Sequence, residues 1–380
     1  MNAQKEDKLV TTDKKEEKGG LNKFEKFLPV WIAICIVIGI ILAVYVPSVA
    51  KTIDAWQVRI PGQTGGISVP IGICLFLMMY PAMLNLKASE LKKLGKNPKP
   101  IILTIVSNWL VAPIVGMLLA SVFLRTNPIL SPAESEELTV AVILLSASPC
   151  TAMVLVWGYL AEGNQEQNVV NTSLNTITII FGYVPMVKLL TGLQNIPLDW
   201  IVLLVSAGVF IGIPLLLGWL SKKLLVKYKG EDWFNNKYRP IVGKIAIIAL
   251  LMTLVVLFSL NGNIIIQDFV NLFSTGKSLL VLVSAPILIG FAIVVVYNLI
   301  ITKLAALKYR QAVITVIIGS SSHFEIAIAS AVAIYGVGSV AALGTTMGLF
   351  WEVPIMLGLV YLGKYLRRKR FWLSAEPMIT

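Results

Sequence analysis

From Phe27 to Gly363 the chain is a succession of long apolar runs separated by short polar loops. About 20 consecutive apolar residues are what one helix needs to cross a bilayer, and this pattern recurs through the whole chain. The runs are Phe27–Val46, Ile67–Leu84, Ile101–Phe123, Leu138–Ala161, Asn168–Leu190, Asp199–Leu225, Ile241–Leu260, Leu279–Ile301, Gln311–Tyr335 and Ser339–Gly363. That makes ten. Composition supports the same conclusion. Only 14% of the 380 residues are charged, against about a quarter in a soluble domain, and mean hydropathy is +0.81. An ordinary cytosolic enzyme, a disordered chain and a fibrous chain are excluded. The fold class expected is an all-α polytopic membrane protein.

The basic residues test the count of ten. With the N-terminus inside, 27 of the 32 Lys and Arg fall in cytoplasmic segments and five fall outside. Cytoplasmic loops carry such an excess, and a miscounted span would scramble it. Both termini are therefore expected in the cytoplasm of a multi-pass plasma-membrane protein. The net charge of +12 is explained by these loops. Nucleic acid is not expected as a partner, because no patch outside the spans interleaves aromatic and basic residues; membrane lipid is. Residues 1–26 hold seven Lys and six acids and read as a disordered tail. They are not a signal peptide, because the following run is too long and lacks a cleavage site. Residues 364–380 form a basic tail.

Ten spans divide as five plus five. An odd-numbered unit inserted twice takes opposite orientations, giving inverted repeats, here 27–190 and 191–363. At an offset of 169, Leu174 pairs with Leu343, Thr176 with Thr345, Phe181 with Phe350, Val184 with Val353 and Pro185 with Pro354. The shared F-x-x-V-P in the fifth span of each half is the firmest of these matches.

The residues that lipid penalises carry the functional information. Span 4 holds Ser146, Ser148, Pro149, Cys150 and Thr151 at its middle. Proline removes a backbone donor and clashes with the preceding turn, and hydroxyls can satisfy the freed carbonyls. A plain kink accounts for Pro149 taken alone. Span 9, its counterpart, carries the polar stretch Gly319, Ser320, Ser321, Ser322, His323, Phe324 and Glu325. Interrupted spans at corresponding positions of two halves point to a transporter's substrate site. The two breaks are expected to cross at the bilayer midplane.

Glu325 is the most expensive residue of the chain, since a mid-span carboxylate costs roughly 2.5–3.5 kcal/mol to insert. A carboxyl there is cheapest protonated, which suits a proton carrier; a structural role held by backbone N–H groups is the alternative. Glu352 lies beside Val353-Pro354 in span 10 and is a second candidate for the proton. His323, the one histidine, reads equally as a protonation switch or as a packed, hydrogen-bonded ring. Of the three cysteines, Cys35 and Cys74 lie in plain apolar runs and read as small buried hydrophobes. Cys150 follows the proline and is read as opening a half-helix, where N–H groups favour a thiolate able to ligate a soft species. Near Lys277, GKS lacks the first glycine of a phosphate loop, and no cofactor or hydrolase motif occurs. An enzyme is not expected. Gly208–Gly212 and Gly344–Gly348 are expected to pack helices.

The segments SPCTAMVLVWGYLAEGNQEQNVVNTSLN, LMMYP, HFEIAIA and WEVP together resemble the arsenite efflux permeases of the arsenical-resistance type. These belong to the bile acid/arsenite/riboflavin transporter superfamily. The resemblance covers roughly residues 25 to 370. It implies ten helices, a core domain with two crossed broken helices, and a panel domain. It maps the family's essential cysteine onto Cys150 and its essential glutamate onto Glu325. It implies proton-driven antiport of trivalent arsenite, with antimonite as a second candidate. On this reading Cys150 would ligate arsenic as a metalloid. Hydroxyls of Ser146, Ser148, Thr151, Ser320 and Ser321 would bond its OH groups, and Glu325, Glu352 and His323 would carry protons. Ser322 departs from the Asn common in the family. With no ATP site in the chain, the drive is an ion gradient or a separate ATPase subunit. A sodium-coupled organic-anion symporter of the same superfamily is the alternative, followed by a membrane receptor or channel without coupled transport.

Overall fold

The computed structural model describes residues 27–46, 48, 52, 55–59, 66–84, 98–151, 153–336 and 338–372. The tail expected at 1–26, most of the basic loop before Pro98 and the last eight residues lie outside the described residues. The described chain is helical apart from one short antiparallel ribbon. In order, α1 (Leu28–Tyr45) is followed by β1 (Gln57–Arg59) and β2 (Gly66–Ser68), with Val58 opposite Ile67. The chain continues through α2 (Val69–Leu84), α3 (Pro98–Arg125), α4 (Pro132–Ser146), α5 (Val154–Leu160), α6 (Gln165–Leu193) and α7 (Trp200–Lys229). Then come α8 (Glu231–Leu260), α9 (Gly262–Thr275), α10 (Leu279–Leu304), α11 (Tyr309–Gly319), α12 (Phe324–Tyr335) and α13 (Val340–Arg368).

Among the described residues, six helices (α3, α6, α7, α8, α10 and α13) are long and apolar enough to cross a membrane. The chain is a multi-pass membrane protein. Helices α1 and α2 are shorter apolar helices. The runs expected as spans 4 and 9 are each built from two pieces, α4 with α5 and α11 with α12. Helix α9 was not expected: its residues fell in the loop between two apolar runs.

Three helices widen at a proline. A π-turn occupies Ser107–Val111 in α3, Gly208–Gly212 in α7 and Phe234–Tyr238 in α8. Each ends two residues before a proline: Pro113, Pro214 and Pro240. A helical proline collides with the carbonyl four residues back, and that carbonyl belongs to Trp109, Phe210 and Asn236, the middle residue of each π-turn. The wider turn absorbs the collision without ending the helix. Gly208 and Gly212 do not make the expected close helix contact, since a Cβ at either would meet nothing within 4 Å. Gly344 and Gly348 do pack: a Cβ at Gly344 would meet the Ala141 Cβ at 2.9 Å, and one at Gly348 the Leu145 Cδ2 at 2.5 Å. Helix α13 thus lies close along α4.

Packing sorts the helices into two groups. Helices α1, α2, α7 and α8 contact mainly one another, while α3 to α6 pack with α10 to α13. Each group draws on both halves of the sequence. Most contact between the groups is made by α12, against the first turns of α7 and against α2 and β2. The second group holds both chain breaks, and its interior is the most completely buried part of the molecule.

Candidate functional site

The breaks meet. Helix α4 ends at Ser146 and α5 begins at Val154; α11 ends at Gly319 and α12 begins at Phe324. Pro149 and Ser322 form an antiparallel β-bridge between the two interruptions. The His323 N–H donates to the Ser148 carbonyl at 2.7 Å, and the Ser148 hydroxyl donates to the His323 carbonyl at 3.3 Å. Backbone freed by the helix breaks is thus satisfied across the crossing, as a buried polar chain requires. The interruption of span 9 is narrower than its polar sequence suggests, because Phe324 and Glu325 already lie in the first turn of α12. Cys150 does not open a half-helix. It sits in the extended break, and the cap of α5 is Met153.

Neighbouring helices hold the remaining carbonyls. Ser107 donates its hydroxyl to the Gly319 carbonyl at 2.8 Å and receives the Asn298 amide at 2.8 Å. Asn298 also donates to the Ser320 hydroxyl at 3.1 Å. A Cβ on Gly319 would come within 2.9 Å of the Asn298 Oδ1, so only glycine admits this approach. On the other break, Asn175 donates to the Cys150 carbonyl at 3.0 Å and accepts from Asn108 at 3.3 Å. These four residues were missed in the sequence. Asn298 is an isolated polar side chain inside the apolar run VVVYNLI, Ser107 and Asn108 interrupt an apolar run at SNWLVAP, and Asn175 lies in the polar stretch NTSLNT.

Two buried carboxyl groups flank the crossing, on different elements. Glu325 Oε2 lies 2.8 Å from His323 Nδ1, and His323 Nε2 lies 2.7 Å from the Thr151 hydroxyl. Glu325, His323 and Thr151 thus form one hydrogen-bonded line from α12 to the opposite break. Glu352, on α13, accepts three bonds. The Ser321 hydroxyl donates at 2.5 Å, the Ser322 N–H at 3.1 Å and the Ser322 hydroxyl at 2.6 Å. Ser322, the departure from the family pattern, therefore keeps a polar contact at the crossing and makes it to a carboxyl group.

A cavity of about 70 Å³ opens beside the breaks, walled by α3, α4, α10 and α13. Ser146, Ser148, Ser320, Ser321 and Ser322 line it with Asn108, against an apolar wall that includes Ile287, Phe291 and Val294. The expected hydroxyls of Ser146, Ser148, Ser320 and Ser321 are thus brought together around one space. Cys150 and Thr151 are not among its lining residues; both are buried beyond Pro149. The structure gathers the expected serine hydroxyls around one cavity and leaves the Cys150 thiol outside its lining.

Ion pairs tie down both ends of this group. At one end Glu162 pairs with Lys364 at 3.1 Å and Arg367 at 2.8 Å. At the other, Glu134 pairs with Lys277 at 3.0 Å and forms a capping box with Ser131. Burial by itself would raise the Glu134 carboxyl, but bonds from Ser131 and the Lys277 ammonium outweigh it and hold the group below its ordinary range.

Residues 72–268 match the Sodium Bile acid symporter family. An uncharacterized transporter of Synechocystis sp. is 38% identical over 370 residues, covering 94% of this chain and 92% of that one. The arsenical-resistance protein Acr3 of Alkaliphilus metalliredigens is 32% identical, covering 94% and 96%. The protein of the same name from Corynebacterium glutamicum is 29% identical, covering 95% and 94%.

Proposed function

We propose that this chain, which belongs to the sodium bile acid symporter family, is a secondary transporter that exports arsenite in exchange for protons. The observation that carries the reading is the crossing itself. Two interrupted helices share a β-bridge beside a serine-lined cavity, with a buried carboxyl group on either side. Arsenious acid is a small neutral molecule with three OH groups, each a donor and an acceptor. A cavity with several hydroxyls and no fixed charge among its lining residues suits it better than it suits an organic anion. The Acr3 name of two full-length relatives supports the same solute.

In this mechanism arsenite enters from the cytoplasm and exchanges hydrogen bonds with Ser146, Ser148, Ser320 and Ser321. A shift of the crossing then brings arsenic to Cys150, the soft ligand a trivalent metalloid prefers; as the As–S bond forms, one As–OH leaves with the thiol proton as water, and water reverses the step on release. Glu325 takes up the counter-transported proton from outside, with His323 and Thr151 extending its hydrogen-bonded line across the break. Glu352 organises Ser321 and Ser322 and is the second carboxyl able to hold a proton. In this reading the ten spans form two inverted five-helix repeats in the plasma membrane, with both termini cytoplasmic, an orientation that the 27-to-5 division of basic residues supports.

The test is arsenite accumulation in everted vesicles from cells stripped of their own exporters, driven by an imposed pH gradient. Accumulation that collapses on adding a protonophore and ignores sodium supports the reading. Uptake that depends on sodium would assign the chain to the organic-anion branch instead. Glu325→Gln, which fixes the neutral state, is expected to bind arsenite and lose its response to the gradient. Undiminished gradient-driven pumping by that variant would make Glu325 structural.

A further inference from the structure

The helix that sequence patterning missed has three separate faces. Helix α9 runs for 14 residues, about 21 Å at 1.5 Å per residue, too short for a hydrocarbon core of roughly 30 Å. One face turns to the protein: Ile265 and Asp268 are buried, and Leu272 continues their line one turn on. A second face presents Ile266, Phe269, Val270 and Phe273, at i, i+3, i+4 and i+7, and all four are exposed, Phe273 by 83%. The third carries Gln267, Asn271 and Ser274, with Gln267 donating to Asn271 at 3.2 Å. A helix surrounded by water keeps two kinds of face, apolar inward and polar outward. Three kinds arise where protein, lipid and water meet along one axis.

The orientation is fixed at both ends. A Cβ on Gly262 would meet the Ala43 Cβ at 2.1 Å, so the first turn lies directly on α1. Farther along, the Asp268 carboxylate accepts the Leu279 N–H and the Ser278 hydroxyl, each at 2.5 Å, and the Leu280 N–H at 3.3 Å. Asp268 therefore caps the start of α10 and sets the roll of α9 about its axis. Left-handed Gly276 reverses the chain between the two helices. The exposed face continues the apolar exterior of the neighbouring spans, where Ile41, Val44 and Val281 are also exposed. Segment 261–278 carries one basic residue, Lys277, whereas 222–244, across the end of α7 and the start of α8, carries seven Lys and Arg. That places α9 at the membrane face opposite the basic loops.

We propose that α9 is an interfacial helix that lies along the outer leaflet, with Ile266, Phe269, Val270 and Phe273 inserted among lipid chains and Asp268 locking its roll. It joins the two packing groups, since it rests on α1 of one and caps α10 of the other. The inference rests on the chain being a membrane protein with its basic loops cytoplasmic, and is independent of which solute it carries.

Single cysteines placed at 266, 267, 269, 270, 271, 273 and 274 of the full chain carry a nitroxide label, the native cysteines being buried. The protein is reconstituted in phosphatidylcholine–phosphatidylglycerol vesicles, and collisions with oxygen and with a soluble nickel chelate are measured. Labels at 266, 269, 270 and 273 are expected to favour oxygen, at depths of about 5–10 Å, while 267, 271 and 274 favour nickel. Asp268→Ala is expected to blur that alternation. Two results overturn the proposal. Nickel access at all seven positions would place the face in water, and shielding of 269 and 273 from both reagents would mean that a second protein surface covers it. Retention of a monodisperse elution profile by each labelled variant separates these outcomes from misfolding.

Discussion

Glu352 gives the sharpest test of how the crossing is held. Its carboxyl group accepts the Ser322 N–H and two serine hydroxyls. Replacing it with alanine affects these donors differently. The hydroxyls line the cavity and can rotate into it, so their loss is small. The Ser322 N–H cannot turn, because the Pro149 bridge fixes that backbone. A buried, unpaired N–H costs about 1–3 kcal/mol. The one lost methylene removes about 0.8 kcal/mol more. Glu352→Ala is therefore expected to destabilise the protein by about 3 kcal/mol. Glu352→Gln keeps an amide oxygen for the Ser322 N–H and offers an NH₂ to the Ser322 hydroxyl, which can accept as readily as donate. Its loss should stay within about 1 kcal/mol. At about 2 °C per kcal/mol for a large domain, thermal unfolding of the purified protein should fall by about 6 °C for alanine and by about 2 °C or less for glutamine. Equal losses in the two variants would refute the argument, since the acceptor oxygen would then be irrelevant. An alanine variant as stable as the parent would refute it equally.

Cys150→Ser should abolish arsenite resistance in an exporter-deficient strain, while Cys35→Ser and Cys74→Ser retain most of it; export by a cysteine-free chain would dismiss the thiol. Ser322→Asn should keep at least half the transport rate in vesicles, because an amide also donates to Glu352; complete loss would mean that the hydroxyl has a role beyond that contact. Lys277→Ala should lower stability by about 0.5–1 kcal/mol at neutral pH, as exposed pairs do. The Glu134 carboxyl is held low in the folded state, so the pair stabilises above the ordinary carboxylate range and its benefit fades as pH falls through the depressed value. The difference between parent and variant melting temperatures should accordingly shrink on acidification and never grow.

The parts of the fold legible in sequence are those dictated by lipid. Apolar runs announce membrane helices because no polar alternative is affordable there, and Pro149 among hydroxyls announces a break because a helix cannot bond through it. The span 9 break carries no proline and was legible from its polar stretch alone, hence the error over Phe324 and Glu325, which α12 incorporates. Cys150 was misplaced for a related reason: sequence shows where a helix stops more clearly than where it resumes. The bonds from Ser321 and Ser322 to Glu352 cross 31 and 30 residues, a pairing that depends on how α13 lies beside the break. The Gly208–Gly212 spacing suggested a packing face, but spacing cannot report whether a neighbour is present. Helix α9 escaped because its apolar residues serve two faces at once, which hides the single stripe that periodicity seeks.

The broken helices also settle the electrical character of the crossing. Four helix ends converge on it: α4 and α11 arrive by their C-termini, α5 and α12 leave by their N-termini. Helix ends carry partial charges of about half a unit, positive at the N-terminus and negative at the C-terminus. Two of each sign around one point cancel, so the backbone adds no net charge to the crossing. The charge at the crossing is therefore set by its side chains, among them the two buried carboxyl groups beside it.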